Sequence, residues 1–254
     1  MELSMLRTGT FGPALHLTLD RPEAGNALNE GLLAALDTAL AANAAPAIVL
    51  DGAGSAFCTG LDLAELRNDA AETPPYERFA RILDTLASAP ALTIAVVDGD
   101  AFGGGLALAC ACDVVVATKT SRFALPEALW GLLPALAAPV VARRAGLAAT
   151  RRLALTTEPV NAVEALRLGL ADHVVADRAA AEGIARRQAL RAARTGADAL
   201  SSVKALFGRL ERDPETYRAF ALREIAARGA SEAVRTRIET LSAAKDLEEA
   251  PNDR

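Results

Sequence analysis

Residues 98–113 read Asp98-Gly-Asp-Ala-Phe-Gly-Gly-Gly-Leu-Ala-Leu-Ala-Cys-Ala-Cys-Asp113. They join an apolar strand, Thr93–Val97, through three consecutive glycines to a short apolar helix. Gly103, Gly104 and Gly105 permit positive φ and a close approach of backbone to a ligand, and the start of the next helix leaves N–H groups without intrahelical acceptors. A carbonyl oxygen that gains negative charge during a reaction would be stabilised by such amides. The same glycines also serve tight packing of helix on strand, and the run alone does not decide between the two readings.

On either side of this run, strands and helices alternate. Leu15–Leu19 reads as a strand ending in the turn Asp20-Arg21-Pro22, and Asn29 is placed to cap a helix over Glu30–Ala42. A strand over Ala47–Leu50 is closed by the turn Gly52–Ser55; Ala56-Phe-Cys-Thr-Gly-Leu-Asp62 comes next, then a short helix from Leu63 and a helix over Tyr76–Ser88. Val114–Ala117 is the strand after the glycine helix. Alternation of this kind predicts an α/β class. Beyond Pro134 the pattern predicts helix after helix. Asn161-Ala-Val-Glu164 has capping-box spacing with Gly169 as a stop, and Asp177–Ala193 is rich in Ala and Arg with Ile184 and Leu190 as large apolar residues. Helices over Ala197–Leu210, Pro214–Arg228 and Ser231–Leu247 complete a helical C-terminal third, and the tail from Glu248 has a disordered composition. No sequence repeat is visible.

A chain of 254 residues supports one core with an appendage rather than two full domains. Hydrophobic residues at 52% and charged residues at 23% are a folded balance, which excludes a disordered chain. The net charge of −5 opposes general nucleic-acid binding. Met1–Thr10 lacks the charged start and apolar run of a signal peptide, and no apolar stretch reaches the roughly 18 residues of a membrane span, so a cytoplasmic protein with no membrane partner is expected. Three cysteines, Cys58, Cys110 and Cys112, form no metal-ligand spacing, and an odd count gives no disulfide framework. His16 and His173 sit among apolar residues at strand-like positions, which points to structure; no metal site is expected.

Four segments in order, Arg21-Pro-Glu-Ala-Gly-Asn-Ala-Leu-Asn29, Ala56–Asp62, the glycine run through Asp113, and Phe123-Ala-Leu-Pro-Glu-Ala-Leu-Trp-Gly131, resemble the crotonase superfamily, the enoyl-CoA hydratase/isomerase group. The resemblance implies a spiral of repeated ββα turns over residues 1–195 carrying the acyl-thioester site, and a helical region over 196–254 used for trimerisation, hence homotrimers or hexamers. It implies no cofactor beyond the carrier of the substrate, coenzyme A or the phosphopantetheine of an acyl carrier protein. By motif, the backbone N–H groups of Thr59 and Gly104 would hold the thioester oxyanion, with Gly60, Leu61 and Asp62 completing the substrate-binding stretch.

Hydratases of this group use two glutamates, and here the first position is Ala107 while the second is Glu127. Glu127 precedes the apolar stretch Ala128–Leu133, where desolvation would raise its pKa toward that of a usable acid or base; a Glu after Pro also suits a helix start. One carboxylate is enough to move a proton between carbons, or to take an α-proton and return it to a leaving hydroxyl. Hydration or dehydration of a 3-hydroxyacyl or enoyl thioester is the leading expectation, enoyl-CoA isomerisation the nearest rival, and a non-catalytic acyl-thioester binding subunit the rival of another class. The stretch Gly131–Gly146, with Leu155–Asn161 and Ala165–Asp172, is similar to 3-methylglutaconyl-CoA hydratases and to the dehydratases of polyketide β-branching, which act on 3-hydroxy-3-methylglutaryl groups. Gly25 stands where many CoA-using members carry a cation, which leans toward a carrier-protein substrate unless Arg21 or Arg67 substitutes. Arg143, Arg144, Arg151 and Arg152 read as a solvated helix face, and Cys58 as a small packed thiol.

Overall fold

Apolar residues run unbroken through Ile48–Leu50, Ile94–Val97 and Val114–Ala117, the pattern of parallel strands covered on both faces. The computed structural model, which describes residues 5–63, Glu65, 75–212 and the single positions Leu222, Arg223, Glu232 and Thr236, places these runs at the centre of a six-stranded sheet. Its order is β1 (Leu6–Phe11), β2 (Ala14–Leu19), β3 (Ala47–Gly52), β5 (Leu92–Val97), β7 (Val114–Thr118) and β10 (His173–Val175). Only the β1–β2 pair is antiparallel. A second, four-stranded sheet is built from β4 (Ala56–Cys58), β6 (Asp100–Phe102), β8 (Arg122–Ala124) and β9 (Val160–Asn161).

The two sheets are threaded together. β3 leads to β4 and then to helix α2 (Pro75–Ser88); β5 leads to β6 and α3 (Gly104–Ala111); β7 leads to β8 and, beyond a 3-10 turn at Glu127–Trp130, to α4 (Ala137–Thr156). Each turn of this ββα spiral adds one strand to each sheet, so the fold repeats although the sequence does not. Side chains alternate across the large sheet. Ile48, Leu50, Ala95, Val97, Val115 and Ala117 face the main core with α1 (Glu30–Ala41), α2, α3, α4 and α5 (Ala162–Leu168). Ala47, Val49, Ile94, Val96 and Val116 face the other way, against Ala181, Ala185, Ala189 and Ala192 of α6 (Arg178–Thr195).

Several expectations are met locally. Asn29 accepts the Leu32 N–H at the start of α1, Asn161 accepts the Glu164 N–H at the start of α5, and Gly169 ends α5 in the left-handed region. The Glu164 carboxylate pairs with Arg152 and Arg167, so the capping box is held from its Asn side. Other expectations are corrected. The short strands β4, β6, β8 and β9 are additions to the sequence reading, because two or three residues cannot display a period, and so is the hairpin strand β1, whose six residues are exposed at the four central positions. The region after Pro134 is not helix after helix, since β9 and β10 interrupt it. In α6 the small alanines bury the helix and Leu190 is exposed, because close packing on the sheet selects small side chains there.

The chain divides into two compact units, Met1–Ser201 and Ser202–Arg254. Helix α7 (Ala197–Arg212) is the last element described over its full length. The helices expected over Pro214–Arg228 and Ser231–Leu247, the tail from Glu248, and most of the short helix expected from Leu63 lie outside the described residues. Among the described residues no helix is long and apolar enough to cross a membrane.

Candidate active site

Three neighbouring parallel strands of the small sheet, β4, β6 and β8, end on the same side, and the segments that leave their ends converge on one site. After β4 comes Thr59-Gly60-Leu61, after β6 comes Gly103-Gly104, and after β8 comes Leu125-Pro126-Glu127. All but Leu125 line one cavity of about 450 Å³, closed further by Leu63, Tyr76, Phe79 and the segment Trp130–Ala137. Ligand sites beyond the carboxyl ends of parallel strands are the general outcome of such topologies.

The three glycines have three separate tasks. Gly103 adopts φ +51, and a Cβ there would stand 3.1 Å from Glu127 Oε1. Gly105 packs so closely that a Cβ would collide with the Cys58 carbonyl, which excludes every other residue. Between them, Gly104 opens α3 with an N–H that has no intrahelical acceptor, and it lines the cavity. The packing reading of the run is thus met at Gly105, while Gly104 places a backbone amide at the cavity.

The donor expected at Thr59 is corrected. Thr59 N–H is bonded to the Gly25 carbonyl at 3.0 Å and cannot serve an oxyanion. The neighbouring backbone gives the alternative. Leu28 and Leu61 form a parallel bridge in which Leu28 N–H donates to the Gly60 carbonyl at 2.8 Å and Asp62 N–H donates to the Leu28 carbonyl at 3.0 Å. Successive backbone groups of an extended segment point to opposite sides, so Leu61 N–H is turned away from Leu28. Leu61 N lies 3.4 Å from where a Cβ on Gly104 would stand, and Gly104 N lies 3.3 Å from the equivalent point on Gly60. Leu61 and Gly104 thus bring two backbone amides to the same part of the cavity. Finding Leu61 requires knowing that residues 21–29 pair with residues 59–62, which no local sequence pattern reveals.

Glu127 is the only charged side chain among the described lining residues. Its Oε2 is buried with no hydrogen-bond partner among them, and burial holds its carboxyl above the ordinary value, opposed more weakly by its own backbone N–H. Ala107 is fully buried in α3 and does not line the cavity. Asp62 does not line it either: its carboxylate is held by Arg21 at 3.1 Å, which removes it from the substrate-binding stretch and engages Arg21 as well. Arg67 lies outside the described residues. At Gly25, φ is +59 and a Cβ would stand 2.8 Å from Thr59 Cγ2, so a longer residue is resisted there.

Arg144 departs from the solvated face expected for it. Its side chain is 13% exposed, pairs with Asp172, and donates to the carbonyl oxygens of Gly169 and Cys112, which ties α4 to the ends of α5 and α3. Cys58 is buried and its thiol is pushed up to about 12 by desolvation, which leaves no thiolate near neutrality. His16 meets the Asp51 carboxylate at 2.9 Å and does not line the cavity.

The enoyl-CoA hydratase/isomerase family model matches residues 13–238. The chain belongs to that family, within the crotonase superfamily. The enoyl-CoA hydratase ACTT6 of Alternaria alternata is 36% identical over 68% of this chain, and the match spans 59% of that relative's length. The bacillaene synthase dehydratase PksH of Bacillus subtilis is 29% identical over 82% of both chains. The crystal structure of an enoyl-CoA hydratase from Mycobacterium smegmatis superposes with a TM-score of 0.86 at 31% identity, covering 96% of each chain.

Proposed function

We propose that the protein forms the enolate of an acyl thioester and acts as a hydro-lyase on a 3-hydroxyacyl or enoyl thioester. The observation that carries this is one cavity lined together by Leu61, by Gly104, whose N–H has no intrahelical acceptor, and by the Glu127 carboxyl, which burial raises and whose Oε2 is buried without a hydrogen-bond partner among the described residues. In dehydration the thioester carbonyl oxygen accepts both amides, and the Glu127 carboxylate takes the α-proton. The C3–O bond then breaks as the enolate collapses to the enoyl product, and the same carboxyl returns its proton to the departing hydroxide, giving water. Loss of one amide donor in such a site typically costs about 2.7–4 kcal/mol of transition-state stabilisation.

A second reading is favoured by Ala107, which supplies no second carboxylate to activate water. With one acid/base group, Glu127 would take a proton from C2 of a 3-enoyl thioester and return it to C4, an isomerisation. The finer assignment to 3-hydroxy-3-methylglutaryl groups of polyketide β-branching rests on likeness to PksH. Against it, the described lining offers no cation for a second carboxylate, so a neutral acyl chain is the better fit. Either coenzyme A or an acyl carrier protein would present the chain, in a cytoplasmic trimer or hexamer by family likeness.

The test is turnover of 3-hydroxybutyryl, crotonyl, 3-hexenoyl and 3-hydroxy-3-methylglutaryl thioesters on both carriers by wild type and Glu127→Gln. The variant is expected to lose at least about 100-fold in kcat, the usual contribution of a positioned acid or base. Turnover unaffected by the substitution would remove Glu127 from the mechanism. No turnover of any thioester by wild type would favour a binding subunit without catalysis.

A further inference from the structure

We propose that Asn26, which does not line the cavity, is a positioning residue for the amide donor at Leu61; the proposal rests on the reading of Leu61 and Gly104 as the oxyanion donors. Asn26 is fully buried and adopts φ +57, a left-handed conformation that Asn tolerates better than most residues. Every polar atom of its side chain is engaged. Nδ2 donates to the carbonyl oxygens of Ala53 at 2.8 Å, on the connection from β3 to β4, and of Ala56 at 2.7 Å, the first residue of β4, and Oδ1 accepts the Arg21 N–H at 2.9 Å.

This fixes the loop 21–28 onto the strand that delivers the donor. The next residue back, Gly25, uses its carbonyl to accept both Thr59 N–H at 3.0 Å and Thr59 Oγ1–H at 3.2 Å. Leu28 holds Gly60 and Asp62, and Arg21 donates to the Ala27 carbonyl and to Asp62. The loop therefore bonds residues 59, 60 and 62 and leaves Leu61 N–H directed at the cavity. Asn26 ties this loop both to itself and to β4, so the aim of the donor depends on it. The apolar cavity wall of Phe79, Trp130 and Leu136, which would receive the acyl chain, stands on other elements and does not depend on it.

The test compares wild type with Asn26→Gly, which keeps the left-handed backbone and deletes the three side-chain bonds, and with Thr59→Val, an exposed position where only the Oγ1 bond is lost. The readouts are kcat, KM, a circular-dichroism melt, and the infrared carbonyl band of bound [1-13C]butyryl-CoA, a saturated thioester that is not consumed. Asn26→Gly is expected to lose about 10–100-fold in kcat, less than outright removal of a donor, with KM within about threefold. Its bound carbonyl is expected to keep roughly half the wild-type red shift, because Gly104 still donates. Thr59→Val is expected to fall between the two.

A folded Asn26→Gly with the full red shift and wild-type kcat would overturn the proposal even if its melt were lowered. If Asn26→Gly does not fold, a wild-type red shift and kcat in Thr59→Val would overturn the route through Gly25 on its own. The two readings fail differently. No red shift in wild type removes the donor pair itself, whereas a red shift without turnover removes the base and leaves the positioning intact.

Discussion

Glu127 carries a cost that the proposed role as acid and base would explain. Burial raises its folded-state pKa, so the ionised carboxyl is disfavoured in the fold relative to the unfolded chain. The sign follows from linkage: above the folded pKa the carboxylate subtracts stability, and below the unfolded value of about 4.3 both states are protonated and the cost is gone. Glu127→Gln is therefore expected to melt higher than wild type near about pH 8, with the difference closing as pH falls toward about 4. Melts followed by circular dichroism across that range check this; a variant less stable than wild type at the alkaline end would contradict it. In activity the sign is the reverse, since a base must be ionised, and turnover should fall as pH drops through a midpoint above the ordinary carboxylate value. Glu127 is legible in the sequence as a carboxyl before an apolar stretch, and Gly104 through its place in a glycine run that resembles the family's. Leu61 is not, because a backbone donor has no side-chain signature and its direction depends on pairing with Leu28.

Among the elements, long apolar strands and capped helices are readable, since Asn29, Asn161 and Gly169 act within a few residues of their targets. Strands of two or three residues are not, and those are the ones that aim the site. The contact of α6 with the sheet is a second case, where buried alanines and one polar cluster replace large apolar residues. Asp51 of β3 is 1% exposed and is held by Arg178 at 2.6 Å and by His16 of β2. Arg178 also donates to the Gly52 carbonyl, so it fastens the start of α6 to the end of β3. Removing one partner of a buried pair typically costs about 3–5 kcal/mol, and the part-exposed Arg178 brings this down to about 2 kcal/mol. Arg178→Met should show that loss in urea unfolding, and adding Asp51→Asn should recover part of it. A single variant as stable as wild type would mean the cluster contributes nothing net.

For the molecule as a whole, the spiral explains why a site of so few groups needs so much chain. Each turn of it contributes one β-strand end, and the three ends place a pair of amides and one carboxyl within a single apolar cavity. The alternation of strand and helix indicates the class of fold, while the second sheet that makes the spiral emerges only in three dimensions. The mechanism stands on Glu127 and the two amides making an enolate together. Exchange of the α-protons of butyryl-CoA with solvent deuterium, followed by NMR, tests this without assuming which reaction completes the cycle. Wild type should catalyse the exchange and Glu127→Gln should slow it by at least about 100-fold; no exchange by wild type, or equal exchange by both proteins, would contradict the mechanism.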